Sequence, residues 1–144
     1  MSMITKATTK NYSELLKLSK LLDEFEPQKE AEIKKALDSN LIWIVKDDDK
    51  IAGYCLIELF DSNHDQLPNS IFISELYVVE PYRQKGIGKE LVQKILNSHF
   101  PVQYTYFSLS HDPEEKHLTD FYKSFGFEVV GKTKGGNVKM IKNI

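Results

Sequence analysis

The residues with the clearest chemical potential lie in one short turn, Arg83-Gln84-Lys85-Gly86-Ile87-Gly88, between a predicted apolar strand and a predicted amphipathic helix. The first N–H groups of a helix have no partner within the helix and carry partial positive charge, which favours a bound phosphate. The two glycines let an anion approach the backbone closely. Arg83, Lys85 and Lys89 add positive charge, and the planar guanidinium of Arg83 suits phosphate. The turn is therefore a candidate pyrophosphate site, although a Gly-x-Gly pair alone fits equally well a tight turn that binds nothing.

Two common nucleotide-binding patterns fit this segment poorly. A P-loop requires a longer glycine spacing followed by Lys-Ser/Thr, whereas Lys89 is followed here by Glu90. The dinucleotide fingerprint requires a third glycine, where this chain has Leu91, and an acidic residue at the end of the next strand. That predicted strand ends in Leu109-Ser110. Both nucleotide patterns therefore fit poorly, and a tight strand-to-helix turn that binds nothing stays open as an alternative.

Hydrophobic periodicity predicts the elements that position this turn. Asn11 and Glu14 resemble a capping box that opens a first helix, whose apolar stripe extends to Phe25. The other predicted helices are Gln28–Asp38, Gly86 to about Ser98 and Pro113 to about Phe125, with Gly126 as the C-cap of the last one. The predicted strands are Met3–Thr8, Leu41–Lys46, Ile51–Phe60, Ile71–Val79, Val102–Leu109, Phe127–Thr133 and Val138–Ile141. The order β-α-α-β-β-β-α-β-α-β-β predicts one mixed α/β domain over residues 1–144, with about seven mostly antiparallel strands and about four helices.

Composition excludes several classes of protein. A chain of 144 residues with 41% hydrophobic and 28% charged residues has the balance of one globular domain. Its net charge of −2 gives no reason to expect binding to nucleic acid or an anionic membrane. No apolar run approaches the roughly 20 residues of a membrane span, and Met1–Lys10 lacks the apolar core of a signal peptide. The single cysteine, Cys55, favours a reducing compartment, so we expect a cytoplasmic protein. The four histidines lack the spacing of a zinc site, so no metal is expected.

The segment from Ser74 to Leu96 resembles the central motif of the GNAT superfamily of N-acetyltransferases, Arg/Gln-x-x-Gly-x-Gly/Ala after the end of a strand. Here the strand ends in Val79-Glu80-Pro81-Tyr82-Arg83, and Gly86-Ile87-Gly88 follows. A second family motif, an aromatic-Tyr pair followed by Gly-Phe, is matched by the run from Phe121 to Phe127. The two motifs stand in the expected order, separated by one strand. The chain departs from the family at Glu115, where many members carry an asparagine seven residues before the tyrosine, so any contact of that asparagine is in doubt.

The resemblance implies transfer of an acyl group from acetyl-CoA to an amine by direct attack, with no metal and no covalent enzyme intermediate. The pantetheine of CoA would pair with backbone groups around Val78 and Val79, and the N–H of Val78 would polarise the thioester carbonyl. The backbone of Gln84–Gly88 would hold the pyrophosphate, with Arg83 and Lys89 beside it.

Two residues are candidates for the proton transfers that this reaction needs. An alkyl amine with a pKa near 10.4 must lose a proton before it attacks, and Glu75 is the candidate base, acting through water. Its alternative is an ordinary solvent-facing or salt-bridged strand glutamate. The departing thiolate gains from a nearby acid, and Tyr122 is the residue that matches the family's donor. Its alternative is a core tyrosine on the stripe Leu118–Phe125.

The sequence leaves the acceptor and the partners open. In this family the acceptor site is bordered by the junction of the first two helices and by the loop before the central strand. Both regions contain carboxylates in this chain: Asp23, Glu24, Glu26, Asp61 and Asp65. They would favour a cationic small-molecule or peptide amine, although ordinary solvated carboxylates explain them as well. The exposed edge of the last predicted hairpin would suit a homodimer. A CoA-binding sensor, a catalytically inactive module of this family, and an α/β protein whose turn binds nothing remain alternatives.

Overall fold

The computed structural model describes residues 3–23 and 27–144. The helices are α1 (Tyr12–Leu22), α2 (Lys29–Asp38), α3 (Ile87–Leu96) and α4 (Lys116–Lys123). The strands are β1 (Ile4–Lys6), β2 (Ile42–Asp47), β3 (Lys50–Phe60), β4 (Ser70–Val78), β5 (Tyr106–His111), β6 (Glu128–Lys132) and β7 (Val138–Asn143). Short 3₁₀ turns cover Thr9–Asn11 and Glu80–Tyr82. The predicted order of elements is confirmed over the described residues.

The strands form one seven-stranded sheet in the order β1-β2-β3-β4-β5-β7-β6. The pairs β1–β2, β2–β3, β5–β7 and β6–β7 are antiparallel. Strands β4 and β5 are parallel, and their ladder joins Ser70–Phe72 to Tyr106–Ser108. A parallel pair needs a crossover connection, and α3 lies in that connection. The predicted mixed α/β class with a mostly antiparallel sheet is therefore confirmed.

The chain divides into two compact units, and the first contains residues up to Glu58 together with Ser74–Ser98. Helices α1 and α2 bury apolar side chains such as Leu15 and Ile33 in a core that also includes Tyr54 of β3. The neighbouring Gly53 points to the other face of the strand, because successive strand residues alternate. There a Cβ atom would lie 3.0 Å from Ile87 Cγ2, so the missing side chain lets α3 approach the sheet closely.

The second unit contains Leu59–Ile73 and His99–Ile144. Strand β7 pairs with β5 on one side and with β6 on the other, and β6 is exposed along its length. Phe107 and Leu109 of β5, Met140 of β7 and Tyr122 of α4 are buried in this unit. The C-cap of α4 is Ser124 rather than the predicted Gly126. Gly126 instead closes the turn after the helix in a left-handed conformation with φ +98°.

The predicted capping box of Asn11 and Glu14 is wrong. Asn11 Oδ1 accepts a hydrogen bond of 2.9 Å from the N–H of Thr8, so it caps the preceding 3₁₀ turn. Glu14 Oε2 instead accepts a 2.7 Å bond from the N–H of Ile51. The carboxylate thus stabilises the start of β3 rather than its own helix. The predicted apolar position Phe25 lies outside the described residues.

Two predicted boundaries in the second unit are also wrong. The fifth strand was expected from Val102, but Val102 is 94% exposed and lies in a turn where the N–H of Tyr104 bonds to the carbonyl of Pro101 at 3.0 Å. The last helix was expected from Pro113 but begins at Lys116. Before it, Asp112 Oδ1 accepts a 2.9 Å bond from the N–H of Glu114, which stabilises a turn of the type that aspartate favours.

Candidate functional site

The turn between β4 and α3 presents the start of a helix to solvent. Gln84 has φ +62° and Gly86, the N-cap of α3, has φ +83°, a backbone conformation that glycine adopts without strain. The first i→i−4 bond of α3 runs from the N–H of Glu90 to the carbonyl of Gly86 at 3.0 Å. The N–H groups of the first three helical residues, from Ile87 to Lys89, therefore have no acceptor within the helix. This geometry suits an anion such as a pyrophosphate.

A hydrogen bond to β2 holds the segment before the turn. The hydroxyl of Tyr82 donates to Asp47 Oδ2 at 2.6 Å, and this bond raises the pKa of Tyr82 above its ordinary value. The N–H of Arg83 bonds to the carbonyl of Glu80 at 3.1 Å. Asp47, the last residue of β2, thus anchors the segment that leads into the turn. The spacing of 35 residues between the two partners gave no sequence signal for this contact.

The end of β4 directs backbone groups of Val78 away from β3. The N–H of Val79 donates to the carbonyl of Ala52 in β3 at 2.8 Å. Because successive residues of an extended chain direct their N–H groups to opposite sides, the N–H and carbonyl of Val78 point away from β3. The carbonyl of Val78 accepts a 2.8 Å bond from Arg83 Nε. Of the backbone groups expected to meet pantetheine, the N–H of Val79 is therefore already bonded within the protein.

The candidate base Glu75 lies in a buried polar cluster of Ser19, Lys29, Tyr54 and Glu75. Its Oε1 accepts hydrogen bonds from Ser19 Oγ at 2.7 Å and from the Tyr54 hydroxyl at 2.6 Å. Its Oε2 lies 3.6 Å from Lys29 Nζ. Glu75 is only 8% exposed and Lys29 only 5%, so most of this ion pair is removed from bulk solvent. The carboxylate is therefore salt-bridged and buried, and its two oxygens have different surroundings.

Each member of this cluster comes from a different element. Ser19 is on α1, Lys29 on α2, Tyr54 on β3 and Glu75 on β4. Burial raises the pKa of Tyr54, and the charge of Glu75 and the hydrogen bond to it raise it further, so the hydroxyl stays neutral and donates. Sequence reasoning missed the three partners of Glu75. Their only signal was polar residues at helical spacing on apolar faces: Ser19 follows Leu15 by four positions, and Lys29 precedes Ile33 by four.

The candidate acid Tyr122 belongs to the second unit and is 6% exposed. Its ring packs edge-on against Phe121 at 5.0 Å and against Phe127 at 5.6 Å between centroids. Its carbonyl accepts bonds from Phe125 at 3.1 Å and from Phe127 at 3.2 Å, which close the end of α4. The aromatic-Tyr and Gly-Phe motif thus forms one packed cluster with the helix terminus.

The polar segment that joins β5 to α4 is organised around the buried side chain of His111. His111 is 7% exposed, and its Nε2 lies 2.9 Å from Thr119 Oγ1 on α4. Its Nδ1 lies 2.8 Å from the carbonyl of Asp112. The end of β5 is thereby joined to α4 one turn before Tyr122. Glu115, at the position of the family asparagine, is exposed and is the N-cap of α4.

Asp61 and Asp65, two acidic residues that were suggested for a cationic acceptor and lie in the loop before β4, have partners within the protein. Asp61 Oδ1 accepts a 2.8 Å bond from the N–H of Asn63. Asp65 forms an ion pair with Lys134, whose hydrogen bond holds the pKa of Asp65 below its usual value. Glu24 and Glu26 lie outside the described residues. Among residues 3–23 and 27–144, no three or more His, Cys, Asp or Glu side chains are grouped so as to hold a metal ion.

Comparison with known proteins shows which proteins this chain is similar to. The sequence profile described as "Acetyltransferase (GNAT) family" matches residues 9–127. N-alpha-acetyltransferase 50 of Danio rerio is 31% identical over 85 residues, which make up 56% of this chain and 48% of that protein. The chain thus spans about half the length of this curated relative.

Two solved structures show the same fold along the whole chain. PaiA N-acetyltransferase of Thermoplasma acidophilum in complex with coenzyme A has a TM-score of 0.74 at 18% identity, covering 100% of this chain and 99% of that one. Naa50 of Arabidopsis thaliana in complex with the bisubstrate analogue CoA-Ac-MVNAL has a TM-score of 0.73 at 20% identity, covering 99% of both chains.

We predict that the buried ion pair stabilises the fold cooperatively. Glu75→Gln leaves the Lys29 ammonium buried without its counter-charge and is expected to cost about 3–5 kcal/mol of unfolding free energy. Lys29→Met leaves Glu75 with two hydroxyl donors and is expected to cost less. Urea unfolding of both single variants and the double variant measures the coupling. Because coupled residues are non-additive, the double variant is expected to be more stable than the sum of the single losses implies. Additive losses would show that the two charges do not interact.

Proposed function

Because the chain belongs to the GNAT family of acetyltransferases, we propose that it transfers the acetyl group of acetyl-CoA to a primary amine of a small molecule or peptide. The observation that carries this proposal is that two sets of backbone N–H donors lie close together in the chain. The N–H of Val78 points away from β3 at the end of β4, and the helix start at Ile87–Lys89 follows within one exposed turn. Together they offer donors to a thioester carbonyl and to a pyrophosphate on consecutive stretches of chain.

In this proposal the acyl donor binds mainly through the backbone. The N–H of Val78 holds the thioester oxygen, and the backbone beside Val78 and Val79 meets the pantetheine. The turn Gln84–Gly88 and the first N–H groups of α3 hold the pyrophosphate. Lys85 and Lys89 are exposed beside this turn and supply positive charge to the phosphates. The whole chain, residues 1–144, would serve as one transferase domain.

The chemistry requires one bond to form and one to break. The amine nitrogen attacks the acetyl carbonyl carbon, the C–S bond breaks, and CoA leaves as a thiolate that takes up a proton. The N–H of Val78 stabilises the negative charge that develops on the carbonyl oxygen. The ammonium form of the acceptor must first lose a proton. We assign this proton to Glu75 through water on its Oε2 side, because two hydroxyls already donate to Oε1. The family resemblance assigns protonation of the thiolate to Tyr122.

The acceptor is proposed at the level of chemical class. The bisubstrate analogue bound to Naa50 of Arabidopsis thaliana joins CoA to a peptide, MVNAL, so a peptide with a free amino terminus is a natural first acceptor. A cationic small amine is a further acceptor to test, although Asp61 and Asp65 have structural partners. No helix in the described part of the chain is long and apolar enough to cross a membrane. A cytoplasmic location remains part of the proposal.

A CoA-binding module without turnover is the second candidate. Three partners around the Glu75 carboxylate favour it, because a carboxylate held by two hydroxyls and an ammonium is poorly exposed to an acceptor amine. Such a module would bind CoA as an enzyme does but release no thiol. Turnover therefore separates the two functions.

We expect calorimetric titration of the purified protein with acetyl-CoA to show binding at one site. The same sample is then expected to release free thiol from acetyl-CoA when an accepted amine is added. The amine panel contains the peptide MVNAL, its N-terminally blocked form as a matched control, a polyamine and free lysine. Binding without release from any amine would support the module instead. No binding at all would show that the turn Arg83–Gly88 does not bind CoA.

We predict that Gly86→Glu abolishes CoA binding while Gly86→Asn retains it. Both variants place a side chain at φ +83°, so they share the backbone strain, which asparagine tolerates best. A Cβ added at this position has no heavy atom within 4 Å, apart from its chain neighbours, so the first atom of either side chain has open space. Only glutamate adds negative charge beside the proposed pyrophosphate site. Titration calorimetry of both variants with CoA gives the comparison, and equal affinity in the two folded variants would remove the site from this turn.

Tyr122→Phe is expected to lower turnover by at least about tenfold while leaving CoA affinity nearly unchanged. The substitution keeps the ring that packs against Phe121 and Phe127 and removes only the hydroxyl. Steady-state rates and calorimetry on the same preparation separate the two effects. An unchanged rate would remove Tyr122 as the acid and leave it as a core residue.

A further inference from the structure

The side chain of Arg83, the single arginine of the chain, contacts β4. Its side chain reaches back five residues, and Nε–H donates to the carbonyl of Val78 at 2.8 Å. The guanidinium carbon lies 5.5 Å from the centre of the Tyr77 ring. One N–H of the guanidinium is thus bonded to the strand, while the central carbon of the group lies over an aromatic ring. Two contacts of different kinds fix the direction of the group.

The ring beneath Arg83 is itself held in place. Tyr77 packs against the core cluster that includes Leu15, Ile33 and Tyr54. Its ring centre lies 6.2 Å from that of Tyr54. Arg83 therefore rests on a side chain that the core positions, although the arginine is exposed. This support favours one fixed orientation over a mobile one.

The peptide group between Val78 and Val79 is bonded at both ends. Its N–H, from Val79, donates to Ala52 at 2.8 Å, and its carbonyl, from Val78, accepts from Arg83 at 2.8 Å. A peptide unit is planar, so two bonds on opposite edges fix its orientation. The orientation of this plane sets the backbone of Val78, the residue whose N–H is proposed to hold the thioester oxygen. A carbonyl has two lone pairs, so Val78 can still accept a bond from a ligand amide.

We propose that Arg83 is a positioning residue that orients the end of β4 for the acyl group and pantetheine, and that it is not a ligand of the pyrophosphate. The inference rests on the proposed function of Val78. It assigns the charge that attracts the phosphates to Lys85, Lys89 and the start of α3. What matters at position 83 is then a planar N–H donor attached to Cδ, not a positive charge.

Three substitutions at position 83 separate the effect of the N–H donor from the effect of the positive charge. Glutamine carries an N–H donor on Cδ, as arginine does, but has no charge. Lysine keeps the charge but carries methylene at that position. Methionine has neither and matches the length of glutamine. The rate constant kcat/KM for acetyl-CoA is measured for the four proteins, with thermal unfolding to confirm that each is folded.

We expect Arg83→Met to lower kcat/KM on the order of tenfold, the loss typical of one hydrogen bond from a charged group. Arg83→Gln is expected to retain several-fold more activity than Arg83→Lys. The loss in Arg83→Met is expected to be the same with acetyl-pantetheine, which has no pyrophosphate, as with acetyl-CoA. A phosphate ligand would give the opposite pattern, with lysine better than glutamine and no loss for acetyl-pantetheine. That pattern, or equal rates in all four proteins, would overturn the inference.

The affinity for CoA tests Arg83 independently of turnover. Because pantetheine is proposed to pair beside Val78, calorimetric CoA affinities are expected to rank with glutamine above lysine as well. A wild-type protein that binds CoA but releases no thiol contradicts the proposed transfer, while this ranking still decides the role of Arg83. A wild-type protein that does not bind CoA overturns both.

Discussion

The rest of the first unit depends on the compensation of one buried charge, the carboxylate of Glu75. An ionised carboxylate removed from water is strongly unfavourable unless it is paired and hydrogen-bonded. Here Ser19, Tyr54 and Lys29 provide two hydroxyl donors and one ammonium. These partners come from α1, β3 and α2, so the requirement of a single side chain joins two helices and two strands. A polar cluster satisfied in this way specifies one arrangement of its elements more strictly than apolar packing does.

Glu75 and the candidate acyl-donor site at Val78 lie on the same strand, β4. Glu75 fixes the middle of β4 against α1 and α2, and three residues later Val78 directs its N–H away from β3. Tyr77 lies between them in sequence and packs against the core below Arg83. A site on a strand whose neighbours are fixed by buried contacts loses little conformational entropy on binding. The orientation of the Val78 backbone therefore depends on buried contacts within the protein.

Local features of the site were predictable from sequence, and contacts between distant residues were not. The helix start after Gly86 and a glycine turn at 126 after the last helix both follow from residue types at fixed spacing. The bond from Ser19 to Glu75 joins residues 56 positions apart, and that from Tyr82 to Asp47 joins residues 35 apart. Neither has a periodic signature, because tertiary packing alone brings the partners together. The capping box failed for a related reason, since Glu14 bonds to Ile51, 37 residues away.

The aromatic motif of α4 shows how a family signature mixes packing with chemistry. The rings of Phe121, Tyr122 and Phe127 contact one another edge-on, and Gly126 closes the helix, so the spacing of the motif follows from packing alone. Phenylalanine at 122 would satisfy all of these ring contacts. The hydroxyl is the one part of Tyr122 that ring packing does not require. The ring contacts therefore explain an aromatic residue at position 122 but do not decide between tyrosine and phenylalanine.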